Sequence, residues 1–507
     1  MATIDELIQK LKSDDAYERS IAAYKLGARR TLCATEPLID ALQKDPLPNV
    51  RTAAAQALGG NGDRRAVDAL VNALQNDTDE DVRYTAAEAL GEFGKIGDPR
   101  AFQPLIQALL QDSSDSVRVL AAKALGKIRD PRAVEPLIHE LQNNQEPSVR
   151  AAAAQTLGTL GDPRAIPALV NAVENEPHEI VRGFAAKELG NFRDPRAVNA
   201  LITALLHDSD TRVRQYAAEA LGKLRDTQAV EPLIDALQSK DDDLRKAAAQ
   251  ALGEIGDPRA VQPLIHATQL LYQSLLKNAL LKNARNQKKL EIWVECAKAL
   301  GKIGDPEAID TLSQAALNKY GYEMETVRKT AIDALAQIPD PRAVEILTQL
   351  INDYRGVSAI RSHAVHALGT RNDTNAVDAL SQAFFNHERQ YVIQKDILKS
   401  LAKIQHPKVL QTLLRAAKHE NPWLRACALE ALAKRREAEV VPAFVHALND
   451  KDDTVQRHAI NALRERVHIY PDIILQLPTD ARHRIGRVAQ ERERNDIEQH
   501  LCDEAPV

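Results

Sequence analysis

The 507 residues carry 66 Lys and Arg against 71 Asp and Glu, a formal net charge of -5 that excludes any general attraction to nucleic acid or anionic lipid. Aromatic residues make up only 4%, and the 21 glycines mostly recur at one spacing, a mixture that suits close-packed helices rather than sheets. Four widely separated cysteines, Cys33, Cys296, Cys427 and Cys502, form no C-x-x-C pair and exclude a disulfide framework or a cysteine zinc site.

The chain opens MATIDELIQKLKSDD, which has acidic residues and lacks the apolar run of a secretory signal. Nowhere does it approach 18 uninterrupted apolar residues. With the cysteine pattern, this predicts a cytoplasmic protein without membrane insertion. One core does not serve a chain of this length, so either several domains or an extended repeat array is required.

The pattern selects the array. ERSIAAYKLG at 18–27 is followed by VRTAAAQALG at 50–59, VRYTAAEALG at 82–91, VRVLAAKALG at 117–126 and VRAAAAQTLG at 149–158, with fourteen copies reaching VQRHAINALR at 455–464. Most lie 31 to 33 residues apart, the length of two short helices and two turns. The fold class predicted is all-α, an α-α superhelix of about fourteen two-helix repeats. The organisation expected is a regular array over 1–265, an extended helix and basic insertion over 266–293, degenerate repeats over 294–464, and a C-terminal cap with a charged tail over 465–507.

Within a unit, PRAVEPLIHELQ places Val134, Leu137, Ile138 and Leu141 on one helical face. The next helix does the same with Val149, Ala153, Ala154 and Leu157, and Gly158 is expected to end it. Asp-Pro-Arg, starting at Asp98, Asp130, Asp162, Asp194, Asp257 and Asp340, reads as a start signal. Asp accepts from the first free N–H groups, and Pro suits the first helical position. The Arg of each Val-Arg pair, such as Arg83, Arg118 and Arg214, sits beside the apolar stripe and is expected to meet acids just upstream, among them Asp112, Asp115, Asp208 and Asp241.

These two phrases, D-P-R-A-V-x-P-L-I-x-A-L and V-R-x-x-A-A-x-A-L-G, resemble the HEAT-like repeat named after phycobilisome lyases over nearly the whole chain. The resemblance implies a HEAT-like or armadillo-type solenoid. It also implies two kinds of function: a protein-binding scaffold, or a bilin lyase-like or phycobilisome assembly or degradation factor that handles an open-chain tetrapyrrole. YERSIAAYKLGARR at 17–30 is similar to the opening of the lyase subunits at Arg19, Ala22, Ala23, Leu26 and Gly27, but has Tyr24 and Lys25 in place of their Trp pair. Deoxyhypusine hydroxylases, which also use HEAT-like repeats, hold iron with His-Glu pairs directly after Val-Arg. Here those places hold Tyr84 and Thr85, Val119 and Leu120, Gly183 and Phe184. No metal is therefore expected. His363, His366 and nearby His387 lack a further ligand at a telling spacing.

In a solenoid the repeated positions build the stack and the departures carry function. The second helices are expected to line the concave face, with an outward strip of Tyr84 and Glu88, Val119 and Lys123, Ala151 and Gln155, Gly183 and Lys187, Gln215 and Glu219, Lys246 and Gln250. Leu120, Phe184 and Tyr216 add larger apolar groups beside it. The insertion HATQLLYQSLLKNALLKNARNQKKLEIW supplies a second candidate contact in Lys282, Arg285, Lys288 and Lys289. No Ser-His-Asp arrangement or phosphate loop is visible. The leading expectation is a non-enzymatic scaffold that binds another protein and no cofactor, with a bilin and a phycobiliprotein as ligand and partner under the alternative.

Overall fold

A computed structural model describes residues 2–277, 284–318, 324–353, 357–387 and 390–466. Among these are twenty-eight α-helices and no strand, so the all-α expectation holds. The helices fall into fourteen consecutive pairs. The chain divides into two compact units, Met1–Ala260 with eight pairs and Val261–Val507 with six. No described helix is long and apolar enough to cross a membrane.

One repeat shows how the sequence builds all of them. Asp130 caps a single 3-10 turn, Pro131–Ala133, by accepting the Arg132 backbone N–H at 2.9 Å, and the turn runs straight into the first helix, Val134–Asn143. Val134, Leu137 and Leu141 are buried and Ile138 is half-buried. A short turn leads to the second helix, Pro147–Leu160, where Val149, Ala153, Ala154 and Leu157 are fully buried. Each buried Val or Leu contributes roughly 1.5–3 kcal/mol, but only because the neighbouring repeats complete its surroundings.

Gly158 does not end its helix, contrary to the expectation. The helix continues to Leu160 and is capped by Gly161 at φ 69. The glycine of the repeated Leu-Gly phrase instead admits the next repeat. A Cβ on Gly59 would lie 2.7 Å from the Ala89 Cβ, one on Gly91 2.8 Å from the Ala124 Cβ, and one on Gly222 2.8 Å from the Ala251 Cα. In both units, consecutive second helices pack more closely than consecutive first helices. The second helices therefore form the tight side of each stack.

Candidate partner-binding surface

The two repeated arginines are consumed by the architecture. In Asp-Pro-Arg the guanidinium folds back on its own cap: Arg132 meets Asp130 at 2.6 Å, Arg164 meets Asp162 at 2.8 Å and Arg259 meets Asp257 at 2.9 Å. Several also reach the preceding repeat. Arg164 donates to the Pro131 carbonyl, Arg259 to the Thr227 carbonyl, and Arg100 pairs with Asp68 at 2.9 Å. The motif is thus a cap and an inter-repeat clip together.

The Val-Arg arginines do form a ladder, but the expected partners are corrected. Several reach forward to the end of the next repeat's first helix: Arg51 to Asp77 at 2.7 Å, Arg83 to Asp112 at 2.9 Å, Arg150 to Glu176 at 2.7 Å and Arg182 to Asp208 at 2.7 Å. Asp112 therefore serves Arg83 rather than Arg118, which keeps the expected Asp115 at 3.9 Å and takes buried Glu140 at 2.6 Å. The Asp208 carboxylate serves Arg182, while Arg214 donates to the Asp208 and Ser209 carbonyls and to the Thr211 hydroxyl. Each rung is double, because the same guanidinium also donates to carbonyls of its own turn, as Arg83 does to Asp77 and Thr78. In the second unit the ladder changes its chemistry. Arg425 keeps Asp450, whereas Arg361 faces buried His387 at 3.5 Å and donates to Gln390 at 2.6 Å. Burial, with the Arg361 charge beside it, pushes the His387 imidazole below its ordinary value.

With those cations accounted for, the second-helix strip of the first unit remains. Tyr84, Glu88, Lys123 and Gln250 are exposed. Val119, Gln155, Lys187, Gln215, Glu219 and Lys246 are half-buried, and Ala151 and Gly183 are buried. The expected apolar addition is smaller than three groups, because Leu120 is packed inside. Phe184 and Tyr216 are half-buried; the Tyr216 ring covers Gly183, and Lys187 Nζ stands 5.7 Å above that ring. Gln215 donates to Glu219 at 2.9 Å. The strip is thus a mixed polar surface with one aromatic feature, partly held in place by its own contacts.

The insertion forms a lengthened helix pair, Val261–Lys277 and Ala284–Ile303. Leu271 and Leu275 are buried, whereas Leu270 and Leu276 are exposed. Tyr272 lies beside Trp293 and hydrogen-bonds the Gln314 carbonyl, which seats this pair on the following repeat. Arg285 and Lys288 are exposed, while Lys289 is half-buried and donates to Ser274 at 2.7 Å. Lys282 lies outside the described residues. Elsewhere in the second unit, His363 bonds Asp333 at 2.8 Å, Cys296 is buried and Cys427 half-buried. Among the described residues no cluster of His, Cys, Asp or Glu has the makings of a metal site.

One set of residues was missed. Arg30, Arg129 and Arg225 adopt positive φ where second helices end, a place held by Gly62, Gly161 and Gly256 in other repeats. The signal was in the sequence: KIRDPR and KLRDTQ have Arg where TLGDPR and EIGDPR have Gly.

Residues 4–91, 67–141, 134–212, 198–279, 322–394 and 378–464 match the family described as HEAT repeats. Residues 294–318 match the PBS lyase HEAT-like repeat. No curated protein matches the chain. Among solved structures it is similar to importin-β crystallised in polyethylene glycol, at 13% identity over 95% of this chain and 79% of that one, with a TM-score of 0.60. It is also similar to the Kap95:Nup1 complex, at 13% identity over 94% and 80% and a TM-score of 0.57. Yeast importin-β matches at 18% identity over 94% and 73%, with a TM-score of 0.50. At these identities the likeness is one of fold alone.

Proposed function

Because the chain belongs to the family of HEAT repeats, we propose that it is a scaffold that binds a partner protein along the second-helix surface of its first unit. A single observation carries the reading. The buried positions, the caps and the ladder recur from repeat to repeat, whereas the strip from Tyr84 to Gln250 differs at each step and reaches the surface at all its positions except Ala151 and Gly183. Such a strip offers contact area and mixed polarity without moving parts, as a protein interface requires. The Kap95:Nup1 complex is an instance of this fold holding another protein. Arg285 and Lys288 on the lengthened pair are a second contact in this proposal.

The test is affinity capture with the triple variant Lys123→Glu, Lys187→Glu, Glu219→Lys. The variant is expected to retain the wild-type melting curve and lose the captured partner; undiminished capture would sink the assignment of this face. A second reading, the handling of an open-chain tetrapyrrole, has the PBS lyase HEAT-like match at 294–318 behind it. Purified protein mixed with a bilin, with and without an apo-phycobiliprotein, separates the two readings, since an unchanged visible spectrum removes the second.

A further inference from the structure

Three hollows open in the first unit where second helices end. Arg30, Glu88 and Glu92 line one of about 440 Å³. Lys95, Lys123, Lys127 and Arg129 line another of about 360 Å³. Arg193, Lys223 and Arg225, with Asp194 and Asp226, line a third of about 670 Å³.

Each hollow contains one of the three non-glycine residues with positive φ among the described residues: Arg30 at 49°, Arg129 at 58° and Arg225 at 57°. Backbone preference favours glycine at such a place. Nothing in the packing asks for a side chain either, since a Cβ on Gly62, Gly161 or Gly256 meets nothing within 4 Å. Arginine has been placed there against backbone preference, on open surface, in a hollow each time. That combination belongs to recognition rather than to folding.

The charge balance distinguishes the hollows. In the first, Glu88 and Glu92 oppose Arg30. In the second, Lys127 is paired with Glu92 at 2.7 Å, but Lys95, Lys123 and Arg129 have no ion pair among the described residues. In the third, Arg225 meets Glu254 at 3.3 Å and Asp194 meets Arg196, while Arg193 and Lys223 have no such pair. Neighbouring helices stand about 9 Å apart, so the two basic hollows, two to three repeats from each other, are separated by roughly 25 Å. At about 3.3 Å per residue, an extended chain of roughly eight residues spans them.

We propose that the first unit docks an extended acidic segment of its partner protein, with carboxylates near one end on Lys123 and Arg129 and near the other on Arg193 and Lys223. The proposal rests on the scaffold reading and names the chemistry of the partner. Glu88, Glu92, Glu219 and Glu254 interrupt the cations, so a nucleic acid with a phosphate at every step would meet repulsion that a segment with two acidic ends avoids.

The test is fluorescence anisotropy of the full chain with a labelled nine-residue Gly-Ser peptide bearing Asp-Glu at both ends, against a control bearing Asn-Gln. The acidic peptide is expected to bind at least tenfold more tightly. Lys123→Ala and Arg129→Gly should each weaken it threefold or more, while Arg129→Gly leaves the melting midpoint unchanged or raised, because glycine suits φ 58. Equal binding of the two peptides, or undiminished binding by Arg129→Gly, overturns the proposal. A single-stranded oligonucleotide of the same length that binds more tightly than the peptide overturns the choice of a protein segment. If the peptide fails while the triple variant still loses its captured partner, the docking inference falls and the scaffold reading stands; if both fail, the scaffold reading falls as well.

Discussion

Gly59 and Gly60 are adjacent in one helix, Pro48–Asn61, yet answer to opposite forces. An added methyl on Gly59 would sit 2.7 Å from the Ala89 Cβ of the next repeat, whereas on Gly60 the nearest atom is the Gly27 carbonyl oxygen at 3.8 Å. Helix propensity favours alanine over glycine by about 1 kcal/mol at both places, and overpacking costs about 1–3 kcal/mol at the first only. Gly60→Ala should therefore raise the urea midpoint and Gly59→Ala lower it. Glu188 is the reverse case, a large acid where most repeats have alanine, buried against Gly158 with Asn191 donating to it at 2.9 Å. Burial pushes its carboxyl above the ordinary glutamate value. The folded chain therefore holds this proton more tightly than the unfolded chain, so its penalty is absent below the ordinary value and grows as pH rises through the raised one. Glu188→Ala should stabilise the protein by about 1 kcal/mol at neutral pH and by progressively less in acid, as read from urea midpoints across pH 4 to 8.

At the scale of the element, the ladder sets the cohesion between repeats. Arg83 and Asp112 are 11% and 6% exposed, so removing the cation leaves a carboxylate with little water to replace it. Arg83→Met should cost about 3 kcal/mol, and the double variant with Asp112→Leu should recover part of that, because no charge is then left unpaired. The second unit spaces its arginines similarly but substitutes His387 for the acid opposite Arg361. This is the element-level counterpart of its looser sequence. The Val-Arg phrase was legible as a ladder, since a guanidinium beside an apolar stripe needs an acceptor. Its direction was not legible, because acids lie both upstream and downstream and only the stacking of repeats decides which one the arginine meets.

Across the whole molecule, each repeat depends chiefly on its two neighbours, so damage should remain local. In hydrogen exchange, Arg83→Met is expected to lose protection in Glu80–Lys95 and Phe102–Gln111, the helices its rung joins, while Asp453–Arg464 keeps its wild-type pattern. Uniform loss would instead mark one cooperative block. The fourteen helix pairs, their caps and their apolar faces follow from local rules: 3.6-residue periodicity, Asp at the cap, Pro in the first turn and alanine at the seam. The sequence by itself therefore determined that this protein is a stack of helical repeats. Tertiary structure alone decided which acid completes each rung, that Gly158 is a contact rather than a stop, and that Leu120 is buried while Lys123 is exposed. It also gathered Lys95, Lys123, Lys127 and Arg129 into one hollow. The reason is physical: a repeat determines its own helices, but the identity of a surface arises only where side chains from successive repeats come to lie side by side.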